Sequence, residues 1–274
     1  MLKDSPVFLI IFLGYFLSLV FYFINFEFQK DSASLWGKKI VNACLILHFI
    51  FLLALLSESR RFAITNLSEY LYVGSFLILL VSFVMEWRYK AKFLMLFSLP
   101  TVLLCSLAAI LLAQSQETSQ TLNGSWWLWV HTGLIVTGFA SLITALSSAV
   151  MYLLQSSQLK SKHLGKIFLR LPSLNTLDKI HFSSLSWGGI LFSLGVLSGL
   201  FWAKDLKELT QVLQDPKVIL SILTCLMYWV ILSLRLSALR RGQKIAVGTV
   251  LLFALLLVTL MSSYYAPSGF HKGF

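Results

Sequence analysis

The sequence predicts an all-α fold: a polytopic transmembrane bundle of about eight helices. Three observations carry that expectation. Only 12% of the residues are charged while 58% are hydrophobic, whereas a soluble domain carries about a quarter charged residues. Apolar runs of roughly 18–20 residues recur along the chain, the length that crosses a hydrocarbon core of about 30 Å as a helix. Lys and Arg gather in the short stretches between those runs, where they set orientation. Strands are excluded, because in lipid only a helix satisfies its own backbone hydrogen bonds one segment at a time. The net charge of +11 therefore needs no polyanion, and no nucleic-acid partner is expected; the partner is the lipid bilayer.

The spans are expected at about 6–26, 40–56, 70–86, 93–113, 128–154, 182–203, 217–235 and 245–263. The first ends in "FINFEFQKD" without a small-residue cleavage site, so it reads as a retained span and not a leader. The second contains "VNACLILHFIFLLALL", the third follows "RRFAITNLSE", and the fifth follows "NGSWWLWVH". The longest connection, "QSSQLKSKHLGKIFLRLPSLNTLDKI", is basic. It reads as a plain connector, with a weak amphipathic stretch able to lie along a membrane surface. Residues 1–274 read as a single integral membrane domain.

With both termini outside, 15 of the 22 Lys and Arg fall on the inner side, and the loop 114–127 has none. Both termini on the outer, extracytoplasmic side is therefore the expected topology. Cys44, Cys105 and Cys225 lie far apart within apolar runs, so neither a disulfide framework nor a thiol-redox site is indicated. Phosphate-binding glycine loops, acidic clusters and repeats are absent from the sequence. Chemistry is left to the histidines.

Under this topology His131 and His271 lie at the outer ends of the fifth and eighth spans. Two imidazoles on one side of a membrane suit one metal centre or both faces of a haem; the alternative is two interfacial anchors. His48 is the ionisable side chain nearest the middle of a span, and an intramembrane ionisable group marks a functional site by default. Its alternative is a neutral histidine bonded to a neighbouring helix. His163 reads as solvated, and His181 as an interfacial residue. Trp126, Trp127, Trp129, Trp202, Tyr264 and Tyr265 offer a stacking surface or an ordinary aromatic belt.

"WWLWVHTGLIVTGFASLI", "RRFAITNLSEYLYVGSFLI", "GILFSLGVLSGLFWA" followed by "DPKVILSILTCLMYW", and "GFHKGF" together resemble segments of the cytochrome c assembly proteins of the CcsA type. That resemblance implies that His131 and His271 are external axial ligands of haem iron, and that His48 belongs to a haem site within the membrane. It also implies that Trp202, Asp215 and Pro216 belong to an external loop that presents haem to apocytochrome c. Two departures are visible. "KDLKELTQVLQ", between Trp202 and the Asp215 segment, lacks the loop's Trp and Gly, and Ser233 and Leu234 stand where a second intramembrane histidine would fall. In these respects the chain resembles the HemX-like branch, associated with haem biosynthesis.

The expected function is therefore haem handling in cytochrome c maturation, with non-covalent, b-type haem held at the outer face for delivery to apocytochrome c. A second membrane assembly protein of the CcsB or ResB kind and a location in the bacterial cytoplasmic (inner) membrane complete the expectation. No catalytic residue is assigned, and enzyme status stays open. The alternatives are a HemX-like regulator or scaffold of haem biosynthesis and a small-solute transporter. The scarcity of ionisable groups in the spans argues against the transporter.

Overall fold

The computed structural model describes residues 5–59, 67–113, 126–162, 165–204, 212–237 and 242–265. Nine helices occupy them: α1 (Pro6–Phe28), α2 (Asp31–Ser59), α3 (Leu67–Tyr89), α4 (Leu94–Leu111), α5 (Trp126–Lys160), α6 (Lys166–Arg170), α7 (Leu174–Lys204), α8 (Pro216–Leu236) and α9 (Gln243–Tyr265). All except α6 are long and apolar enough to cross a membrane. The chain is a multi-pass, all-helical membrane protein, and among the described residues there is no strand.

Successive spans run antiparallel. At one end Ser68, at the start of α3, donates to the carbonyl of Ala109 near the end of α4 (2.6 Å), and Phe8 of α1 packs on Tyr72 of α3. At the other end Arg235 of α8 pairs with Asp178 of α7, and Lys166 of α6 pairs with Glu27 of α1. Lys38, Lys39, Arg88, Lys160 and Lys179 also belong to this second, basic end.

Helix α5 is the hub. Of its most apolar stretch 72% is buried, against 22% for α2 and 28% for α1 and α8. Its small residues allow close approach, which is how helices associate where lipid removes the hydrophobic incentive. Ser82 of α3 donates to Ser98 of α4 at 2.8 Å and lies 3.1 Å from Thr144 of α5; Ser98 also reaches Ser147 at 3.3 Å. These buried hydroxyls join three helices, and Ser98, Thr144 and Ser147 also reach carbonyls of their own helices, so each of the four has a partner.

The α5–α7 contact is closer still. A Cβ added at Gly138 would lie 2.8 Å from the backbone nitrogen of Phe192 and 3.0 Å from its Cα. Neither atom can swing away, so Gly138→Ala must separate two helices. We expect it to destabilise the protein by about 2 kcal/mol, in the range of overpacked cores. Gly133→Ala in the same helix meets nothing within 4 Å, and there the lost backbone freedom should stabilise by roughly 0.5–1 kcal/mol. Melting of the two variants in detergent should move in opposite directions; parallel shifts would refute the close-approach explanation.

Several helices run past their expected ends. α5 reaches residue 160 and α7 begins at residue 174, so the stretch read as a plain connector is mostly helical. The reason is local capping. The Gln158 side-chain Oε1 accepts from the backbone N–H groups of Gly165 (3.2 Å) and Phe168 (3.0 Å), and the Gln155 side-chain Nε2 donates to the Phe168 backbone carbonyl. Ser173 Oγ accepts from the backbone N–H of Thr176, an N-cap for α7. Likewise α2 starts at residue 31, where Gln29 in the left-handed region (φ 54°) closes α1.

Candidate functional site

His48 lies wholly buried where α1, α2 and α3 converge. Its ring stacks at a tilt on Tyr72 of α3 (4.3 Å between centroids) and meets Phe76 edge-on (5.4 Å). Nδ1 lies 3.0 Å from the hydroxyl of Tyr15 on α1, and that hydroxyl lies 3.5 Å from the carbonyl of Cys44. One proton arrangement uses all three groups: Nδ1–H donates to Tyr15, and Tyr15 donates to Cys44. The lone pair then resides on Nε2. Nε2 and the Tyr72 hydroxyl are both buried without a hydrogen-bond partner among the described residues. An orphaned buried polar atom costs about 1–3 kcal/mol. A buried imidazole lone pair has the chemistry of a metal-ligand atom.

His131 sits in the second turn of α5, half-buried against α7. Its Nδ1 lies 2.7 Å from the Gly195 carbonyl oxygen. A carbonyl only accepts, so Nδ1 carries the proton and Nε2 the lone pair. That is the arrangement by which outer groups orient ligating imidazoles. Ser198 donates to the same carbonyl at 2.7 Å, using its second lone pair. The ring lies across the backbone of α7 at Gly199, where an added Cβ would fall 2.5 Å from Cε1 and 2.7 Å from Nδ1. Gly199 thus leaves room for the imidazole and the Gly195 carbonyl, one turn earlier, orients it.

Trp202 is half-buried in the last turn of α7. Asp215 is 6% exposed and is the N-cap of α8: its Oδ1 accepts from the Lys217 backbone N–H at 2.8 Å, with Pro216 at the first helical position. The segment 205–211 lies outside the described residues, as do His271 and His163. His181 is buried in α7, with Nε2 2.7 Å from Thr249 Oγ1 on α9. It is a helix-to-helix tie in the interior, deeper than the interfacial place expected of it. Trp126 and Trp127 stack on each other and are 62% and 41% exposed, as an interfacial belt would be; Trp129 is half-buried. Among the described residues no group of three or more His, Cys, Asp or Glu comes together to hold a metal ion.

The family model for the cytochrome c assembly protein matches residues 64–271, more than half of the chain. The chain belongs to the cytochrome c assembly protein family. The match takes in His131 and the position of His271, and leaves α1 and α2, with Tyr15 and His48, ahead of it. The chain is 25% identical to protein HemX of Bacillus subtilis (strain 168) over 89% of each chain. It is 26% identical to the cytochrome c biogenesis protein CcsA of Prochlorococcus marinus (strain MIT 9301), over 93% of this chain and 92% of that one. With CcsA of Prochlorococcus marinus subsp. pastoris the identity is 28%, over 93% and 90%. No solved structure matches the chain.

Reading the sequence for histidines misses what holds them. Tyr15, Tyr72, Gly195 and Gly199 carry the two imidazoles, and the histidine pattern points to none of them. Gly195 and Gly199 form a G-x-x-x-G spacing, legible as a close helix contact. The Asp-Pro-Lys run at residues 215–217 is likewise legible as a helix start.

Proposed function

We propose that this family member holds haem as cargo during cytochrome c biogenesis, with His131 and His271 as axial ligands and His48 as a ligand within the bundle. The observation that carries this reading is the His131 imidazole, fixed through Nδ1 on Gly195 so that the ring's lone pair lies on Nε2. The orphaned Nε2 of buried His48 supports the second site.

Two neutral imidazoles would leave haem iron no open position, a filled coordination sphere suited to carrying b-type, non-covalent haem and not to oxygen chemistry. The work of the chain is then to bind, orient and release. His131 is held by α7, whereas the His271 ligand belongs to the C-terminal "GFHKGF", so His271 is the ligand that gives way at handover. Thioether bonds to an apocytochrome c draw on that protein's thiols and need no nucleophile here. A second membrane assembly protein of the CcsB or ResB kind is the partner. The location is the bacterial cytoplasmic membrane, with the basic end on the cytoplasmic side.

A second reading is favoured by one feature. The segment between Trp202 and Asp215 is poor in Trp and Gly, which suits a HemX-like role in haem biosynthesis over presentation of haem to an apocytochrome.

The visible absorption spectrum of the detergent-purified protein tests the site. Wild type supplied with haem should show a low-spin Soret band, lost or shifted in both His131→Ala and His271→Ala. Wild type that stays colourless would sink the proposal. Holocytochrome levels in cells separate the two readings: they should collapse in both variants under the first and stay untouched under the second.

A further inference from the structure

Helices α3 and α7 both pack on α5 and meet each other only slightly, which opens a groove of about 360 Å³ between them at the basic end. Tyr89 from α3 and Lys179, Phe182, Ser183, Ser186 and Trp187 from α7 line it. Along α7 the outward face is graded. Lys179, Ser183 and Trp187 follow at four-residue steps, then Ile190, Leu194 and Leu197, which are 40–50% exposed. One stripe of a helix therefore runs from cation to hydroxyl to indole to aliphatic, with about 12 Å between Lys179 and Trp187 at the helical rise.

Lys179 pairs with no carboxylate among the described residues. Its neighbour Asp178 is engaged by Arg235, and Glu86 by Lys38 and the backbone N–H of Met95. No carboxylate lines the groove. Trp187, which lines the groove, is 57% exposed, so the groove opens sideways toward lipid.

We propose that this groove is a binding site for an anionic phospholipid. Its phosphate would sit at Lys179 and Ser183, its glycerol region beside Ser186 and Tyr89, and an acyl chain along Trp187 and the aliphatic stripe beyond. A free anion would find only the first part of this surface. The lipid matches all of it, as basic recesses between spans match anionic headgroups elsewhere.

The test uses the full chain in detergent micelles, titrated with phosphatidylglycerol or phosphatidylcholine carrying brominated acyl chains, with tryptophan fluorescence as readout. Subtracting the Trp187→Phe signal isolates Trp187. Brominated phosphatidylglycerol should quench that component at a lower mole fraction than phosphatidylcholine. Lys179→Ala should raise the half-quenching mole fraction about fivefold, the worth of one cation near an anionic headgroup, and Lys179→Arg should restore it. Both positions are exposed, so the fold is not at stake. Superimposable curves for the two lipids, or quenching indifferent to Lys179, would overturn the proposal. So would relief of quenching by millimolar inorganic phosphate, which would mark a free-anion site.

Discussion

Gly199→Ala should weaken haem binding by about 10–100-fold, the range seen when an outer group that orients a metal ligand is lost, while leaving the fold in place. The new methyl would stand 2.5 Å from His131 Cε1 and 2.7 Å from Nδ1, so the ring must leave the face of α7. The 2.7 Å bond from Nδ1 to the Gly195 carbonyl goes with it. Nothing else is forced to move, because the atoms struck belong to a side chain that can turn. Helix propensity even gains up to about 1 kcal/mol from the replacement. Stability and ligand affinity should therefore separate: melting in detergent unchanged or slightly raised, haem titration sharply weaker and the Soret maximum displaced. Gly195→Ala would not discriminate, since its Cβ meets the Ile135 side chain at 2.8 Å and that residue's backbone nitrogen at 3.1 Å, and so pushes on the helix contact itself. If Gly199→Ala binds haem as wild type does, His131 is not seated for ligation.

How far the sequence carries can be judged residue by residue. The spans are legible because each is a long apolar run, and hydropathy alone demands burial in lipid. Their ends are not, because α5 and α7 continue into polar sequence on the strength of single contacts. The Gln158 side chain closing the turn at residues 165–168 is one, and Ser173 capping α7 is another. His48 is legible since an ionisable group in an apolar run has few reasons to be there. Tyr15, which fixes its Nδ1, is 33 residues away and looks like one aromatic among many. For His131 the imidazole is visible and the carbonyl that orients it is not, because backbone acceptors have no letter in a sequence. Asp215 shows the opposite hazard. A carboxylate that resemblance ties to haem presentation has a sufficient local reason to be there in capping α8.

The roles of His48 in folding and in ligation come apart in a double-mutant cycle with Tyr15. Tyr15→Phe alone removes the partner of Nδ1, and His48→Leu alone leaves the Tyr15 hydroxyl with only the 3.5 Å contact to Cys44. Each should cost about 1–3 kcal/mol, the penalty of a buried polar group deprived of its partner. The pair Tyr15→Phe with His48→Leu removes both, together with the orphaned Nε2, and apolar replacement of both partners can be nearly neutral. The double variant should thus melt close to wild type and above either single one. Haem binding, read in a His131→Ala background so that the inner site alone reports, should follow a different order. Tyr15→Phe keeps the imidazole but frees its tautomer, so affinity should fall partway. Both variants without His48 should lose the axial ligand altogether, the stable double variant included. A double variant that regains stability and still binds haem as fully as the His131→Ala parent would show His48 to be a structural tie alone. Stability restored without binding would show that the bundle tolerates a buried, half-satisfied histidine because of what its Nε2 can hold.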